Sequence, residues 1–123
     1  MIKGIGIDIV EIARIQKAAQ NKRFFTRVFS QGEITLFEAC RYNISTIAGR
    51  FAAKEAVLKA LGLGIHDVPL GCIGVLRTDA GQPTVSLTGA AQQRAQALGI
   101  LRIHISISHD GGLAIAQAVA EGD

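Results

Sequence analysis

Four groups of residues have the types and spacing that chemistry needs. Asp8 lies in the run Ile5-Gly6-Ile7-Asp8-Ile9-Val10, a carboxylate among apolar side chains and glycine. Burying such a charge without a partner is costly, so Asp8 either gains a cation, or sits exposed at a strand end beside a sheet edge, or caps the next helix. Glu55 and Lys59 are four apart and share one face of any helix that carries them. As a solvated ion pair they contribute only a few tenths of a kcal/mol; beside a substrate they could orient and neutralise charge. Arg50 and Lys54 repeat that spacing on a neighbouring strip and suit an anion. Ser106, Ser108 and His109 have the types of a nucleophile and its base, but neighbours on a strand point to opposite faces, which argues against direct pairing of Ser108 with His109. Ser106 and Ser108 share a face and otherwise read as solvent-side residues, and His109 as a turn residue. Gly4-Ile5-Gly6 is not a dinucleotide loop, because no third glycine follows at the required spacing, and no Gly-Lys-Ser/Thr of a P-loop occurs.

The elements that must position these groups can be read from period and capping. Ile5, Ile7 and Ile9 alternate with Gly6, Asp8 and Val10, which predicts a strand from the terminus. Residues 11 to 21 change to a helical period, with Ile12, Ile15 and Ala19 on one side. Ser30 and Glu33 have the spacing of a capping box, so a second helix is expected from there to about Cys40. Ser45 to Leu61 is the strongest helix signal, with Gly62 placed as its left-handed cap. Residues 72–76 and 84–87, separated by Asp79-Ala80-Gly81-Gln82-Pro83, predict a β-hairpin. Gly89 to Gly99 reads as a further helix. Residues 103–108 and 113–120 read as strands that turn at Asp110-Gly111-Gly112.

Composition narrows the class. The 123 residues are 49% hydrophobic and 19% charged, which excludes disorder and favours one small domain whose surplus apolar surface suits association between copies. Thirteen Lys and Arg against ten Asp and Glu give a net charge of +3, compatible with an anionic ligand. There is no Trp and one Tyr, and no run of basic residues, so nucleic acid is not the expected partner. Cys40 and Cys72 lack CxxC spacing and read as free thiols. No signal-type segment and no run of 18 apolar residues appears, which predicts a cytoplasmic protein without membrane insertion.

GIGIDIVEIARI at 4–15, RFAAKEAVLKALG at 50–62, GQP at 81–83 and SISH at 106–109 occur in an order and at a chain length that resemble the holo-[acyl-carrier-protein] synthases, the small trimeric type of 4′-phosphopantetheinyl transferase. The resemblance covers nearly the whole chain. It implies a single domain over 1–123 with an α+β fold, an antiparallel sheet with a long packed helix, assembled as a homotrimer with sites between neighbouring subunits. It implies transfer of 4′-phosphopantetheine from coenzyme A to a serine of apo acyl carrier protein, with release of adenosine 3′,5′-bisphosphate and dependence on Mg²⁺. The competing class is a module that binds coenzyme A or the carrier protein without transfer.

By the same resemblance, Asp8 and Glu55 match the Mg²⁺ ligands, and Lys59 matches the cation at the leaving phosphate. Arg50, Lys54 and His109 match positions at the coenzyme A site, whose nucleotide end is shaped by Gly62, Gly81 and Pro83. Arg14 matches a basic position that meets the acidic carrier protein. The serine proton has Asp8, Glu55 or a metal-bound water as its acceptor. The chain departs from the family pattern at Leu58, where a small or hydroxyl side chain is common, and at Gln82, where Lys is frequent; these changes imply one lost phosphate hydrogen bond and one lost charge.

Overall fold

The computed structural model describes residues 1–123. Strand β1 (Ile2–Glu11) leads into helices α1 (Ile12–Ala18), α2 (Lys22–Val28), α3 (Gln31–Ala39) and α4 (Ile44–Ala60). A short 3₁₀ turn (Leu70–Cys72), the hairpin β2 (Ile73–Arg77) and β3 (Pro83–Leu87), α5 (Gly89–Ala97), β4 (Ile100–Asp110) and β5 (Leu113–Gly122) complete the chain. The long strands form an antiparallel sheet in the order β1-β5-β4, and the hairpin forms a second sheet of two strands. The α+β architecture, antiparallel pairing and long helix agree with the expectation. Helix α2 was not anticipated: Asn21 caps it by accepting from the Arg23 amide, and Phe24 and Phe25 hold it in a ring cluster with Phe29, Phe37, Tyr42 and Phe51.

Helix α4 lies on one face of the large sheet. Ala48, Ala52, Ala53, Ala56 and Ala60 of the helix are buried, as are Ala114, Ala116, Ala118 and Ala120 at alternate positions of β5. On β1 the same face carries Gly4, Gly6, Asp8 and Val10, which pair with those four alanines. A Cβ on Gly6 would collide with the Ala56 carbonyl oxygen, and one on Gly4 with that of Ala60. Small residues on both layers therefore let helix and strand backbones approach closely, and Asp8 is the one charged side chain that β1 turns toward α4. The opposite face of β1 presents Ile5, Ile7 and Ile9, which are 65%, 62% and 57% exposed. An apolar stripe of this kind is not how a small protein ordinarily meets water.

Helix α4 ends as its sequence predicts. Gly62 has φ +69°, the Leu63 amide donates to the Leu58 carbonyl, and the Gly62 amide donates to that of Lys59, the two bonds of a Schellman cap. Arg94 of α5 adds a third, from Nε to the Leu61 carbonyl at 2.9 Å.

Candidate functional site

The carboxylates at positions 8 and 55 meet where β1 passes under α4. Burial and the charge of Asp8 push the Glu55 carboxyl above the ordinary carboxylate value, a hydrogen bond with Asp8 adds to this, and Lys59 and Arg14 pull it back. Asp8 is almost enclosed, its side chain 12% exposed, whereas Lys59 is 54% exposed. The Lys59 ammonium donates to the Ile7 carbonyl at 2.8 Å and lies 3.4 Å from Asp8 Oδ1. Residues 51 positions apart thus form one cluster, with two carboxylates, one tethered cation and exposed Arg14 close enough to be felt. Nowhere do three or more His, Cys, Asp or Glu side chains converge as a metal cage. A pair of carboxylates matches an oxygen-seeking cation that keeps waters and takes its other ligands from a phosphate substrate, and does not match the nitrogen and sulfur sets of transition metals.

A second group of expected residues lines a cleft of about 560 Å³ at the other edge of the sheet. Its walls are Arg50 of α4, the turn and strand residues Gly81 to Thr84, and β4 from Ile103 to Ile107 together with His109. Gly81 has φ +89°, which lets the turn close tightly. The His109 ring bonds the Ser45 carbonyl through Nε2 at 2.7 Å; a carbonyl accepts only, so Nε2 carries the proton. Arg50 Nε is buried and has no hydrogen-bond partner. Burial, then the nearby Arg77, lower the proton affinity of the Arg50 guanidinium. A partly enclosed cation on the cleft wall, beside His104 and His109, is suited to an anion.

Neither Asp8, Glu55 nor Lys59 lines this cleft. The first lies on β1 and the cleft wall on β4, with β5 between them, so about 10 Å of sheet separates the two strands. Within one chain the carboxylate cluster and the cleft are separate.

Two expected residues lie elsewhere. Lys54 does not contact the cleft: it is fully buried, paired with Glu33 at 2.5 Å, and bonded to the Ile73 carbonyl. Burial lowers its proton affinity, and Glu33 opposes that shift. The expectation that Lys54 contacts a phosphate is corrected on this ground, because its charge is already spent inside the protein. Gly62 stands at the end of α4 and does not line the cleft; its positive φ serves the cap. Leu58 is 2% exposed in the core, so its side chain displaces no phosphate contact from this cleft, whereas Gln82 lines it.

Ser108 pairs across β5 with Ile115, and His109 with Ala114, which places them on opposite faces as the alternation requires. Sequence reasoning missed His104, which lines the cleft and lies 3.0 Å from Glu121, itself bonded to Arg102 at 2.7 Å. These hydrogen bonds, His104 first and Arg102 next, lower the Glu121 carboxyl to about 2. The strand alternation that exposes His104 was visible; the cross-strand neighbour was not.

A family model described as the 4′-phosphopantetheinyl transferase superfamily matches residues 4–118. The chain belongs to that superfamily. Among curated members of the superfamily, the chain is 45% identical to a holo-[acyl-carrier-protein] synthase of Clostridium tetani over 124 residues, covering 100% of this chain and 98% of the relative. Among solved structures, the holo-[acyl-carrier-protein] synthase of Helicobacter pylori in complex with coenzyme A superposes with a TM-score of 0.83 at 38% identity, over 95% of this chain and 99% of that one. The holo-[acyl-carrier-protein] synthase of Neisseria meningitidis superposes with a TM-score of 0.89 at 34% identity, over 98% of this transferase-family chain and 99% of that one.

Proposed function

We propose that the chain is a holo-[acyl-carrier-protein] synthase, transferring 4′-phosphopantetheine from coenzyme A to a serine of apo acyl carrier protein and releasing adenosine 3′,5′-bisphosphate. The observation that carries the reading is the convergence of Asp8, Glu55 and Lys59 at one crossing of β1 and α4, in a chain whose full-length relatives bear that activity in their names. Asp8 and Glu55 would hold Mg²⁺, since a raised proton affinity on one of two facing carboxyls leaves room for a cation that one lysine does not fill. When bound, Mg²⁺ supplies neutralisation of the pyrophosphate oxygens. Lys59 stabilises the charge that develops on the departing bisphosphate. Burial, then the charge of Asp8, raise the affinity of Glu55 for a proton, which suits its carboxylate to accept one. The serine hydroxyl gives its proton to the Glu55 carboxylate, its oxygen bonds the phosphorus of the phosphopantetheine, and the bond from that phosphorus to the bisphosphate oxygen breaks.

Arg50 and His109, with Gly81 and Pro83, form the wall that receives the nucleotide phosphates of coenzyme A; Gly62 contributes by ending α4 just beyond Lys59. The active form is a homotrimer. Support comes from the exposed Ile5, Ile7 and Ile9 stripe and from the separation of the carboxylate cluster from the cleft, which a neighbouring copy would bridge by setting its own cleft against these carboxylates. Arg14, exposed and near Glu55, faces the acidic carrier protein at the entrance. The protein acts in the cytoplasm, a reading compatible with the fact that no helix is long and apolar enough to cross a membrane.

The deciding experiment incubates the protein with apo carrier protein, coenzyme A and Mg²⁺ and reads the carrier's mass. A gain equal to one phosphopantetheine is expected. Binding of coenzyme A with no change in the carrier's mass would leave only a binding module.

A further inference from the structure

Glu33 and Lys54 are both fully buried, and together they answer a problem of sheet edges. Strand β2 pairs only with β3. Residues two apart on a strand turn their backbone groups to the same edge, and Ile73 and Val75 turn theirs away from β3 to where no strand follows. Side chains meet that edge instead. The Lys54 ammonium donates to the Ile73 carbonyl, and the Val75 amide donates to Glu33 Oε2 at 3.1 Å. Glu33 Oε1 accepts from Lys54 and also from the Ser30 amide at 2.8 Å, closing the capping box of α3. One ion pair thus stands in for a third strand and fixes α3, α4 and β2 to one another.

The position of that clamp matters for the cleft. Lys54 follows Arg50 by one turn of α4, and β2 runs from Ile73 through Arg77 into the turn whose Gly81 to Thr84 form the wall beside Arg50. An apolar pair of similar volume would often stabilise a core as well as a buried ion pair. It would not satisfy both Ile73 and Val75 at a strand edge.

We propose that Glu33 and Lys54 are positioning residues for nucleotide binding, holding the β2–β3 hairpin at the distance from α4 at which Arg50 and the Gly81–Thr84 wall grip one anion. The proposal deepens the coenzyme A reading of the cleft and rests on it.

The double variant Glu33→Gln/Lys54→Met removes both charges at nearly constant volume, keeps an acceptor for Val75 and leaves the Ile73 carbonyl without its donor. The variant should remain folded, with faster hydrogen exchange at amides 78–82 and 84. The coenzyme A KM and the Kd for adenosine 3′,5′-bisphosphate should rise about tenfold, kcat should change less than about threefold, and the carrier-protein KM should hold. Lys54→Arg, which keeps a cationic donor, should recover part of the loss. A folded double variant that binds the bisphosphate like wild type, or that loses kcat and both KM values alike, would overturn the positioning role. If the double variant does not fold, Glu33→Gln alone is judged on the same readouts. Wild-type protein that fails to bind adenosine 3′,5′-bisphosphate would overturn the reading of the cleft itself.

Discussion

The Lys59 ammonium is tied to β1 at two points, the Ile7 carbonyl at 2.8 Å and Asp8 Oδ1 at 3.4 Å, so a cation on an exposed helix face is held over an almost enclosed carboxylate. The tether restricts where the charge can be before any substrate arrives, which is the condition for electrostatic stabilisation without reorganisation. Lys59→Met should lower the single-turnover transfer rate by about 10²- to 10³-fold with little change in carrier-protein KM. An unchanged single-turnover rate would remove Lys59 from the catalytic set.

What the sequence made legible was local. Ser30 and Glu33 show their capping box because the bond closes within one turn; Gly62 shows its cap for the same reason. The Glu33–Lys54 pair was hidden because it spans 21 positions and depends on a strand edge that only the fold creates. Arg50 and Lys54 carry the same i, i+4 signal as any exposed basic pair, yet the helix turns one into a cleft and the other into the core. Asp8 and Glu55 could be matched to a family pattern by residue type, but their meeting required Gly4 and Gly6 to bring β1 against α4. Their separation from Arg50 and His109 required the strand order β1-β5-β4, which alternation along single strands does not encode.

Glu55 gives a stability signature with a definite sign. Its carboxyl is raised by burial and by Asp8, so between the ordinary carboxylate value and the raised one the folded state holds more protons than the unfolded state. Stability then falls as pH rises through that window. Glu55→Gln removes this loss. At pH 7 to 8 without metal, its Tm should equal or exceed that of wild type, while transfer falls at least about 10²-fold. Adding Mg²⁺ should raise the wild-type Tm by mass action and leave that of the variant unmoved. A Mg²⁺-induced rise of equal size in both proteins would show that Glu55 is not a ligand.

The stripe of Ile5, Ile7 and Ile9 points away from α4, so charges placed there should spare the core of the subunit. Ile5→Glu/Ile9→Glu is expected to give a folded monomer by light scattering and circular dichroism, with specific activity reduced about tenfold or more. Dilution of wild type below its assembly constant should reproduce that loss. A monomeric variant with full specific activity would mean that one chain completes the site alone, against the separation of Asp8 from the cleft.

Arg14 should act on encounter more than on chemistry. It is exposed on α1 yet close enough to Glu55 to lower that carboxyl's proton affinity, which places it at the rim of the cluster that we propose the carrier serine reaches. A cation there attracts an acidic carrier protein over a distance set by screening, about 8 Å at physiological salt, and such rim charges change association more than dissociation. Arg14→Glu reverses the sign, so the carrier-protein KM should rise steeply and become less sensitive to added salt, while the coenzyme A KM stays nearly constant. The local effect works in the same sense at a smaller scale: a second carboxylate near Glu55 would raise its proton affinity further, so the pH at which transfer reaches half its maximum should move up. Measuring both KM values across a salt series and a pH series separates the possibilities. Equal changes in the two KM values would indicate a general structural fault, and no change in either would leave Arg14 a solvated residue with no partner.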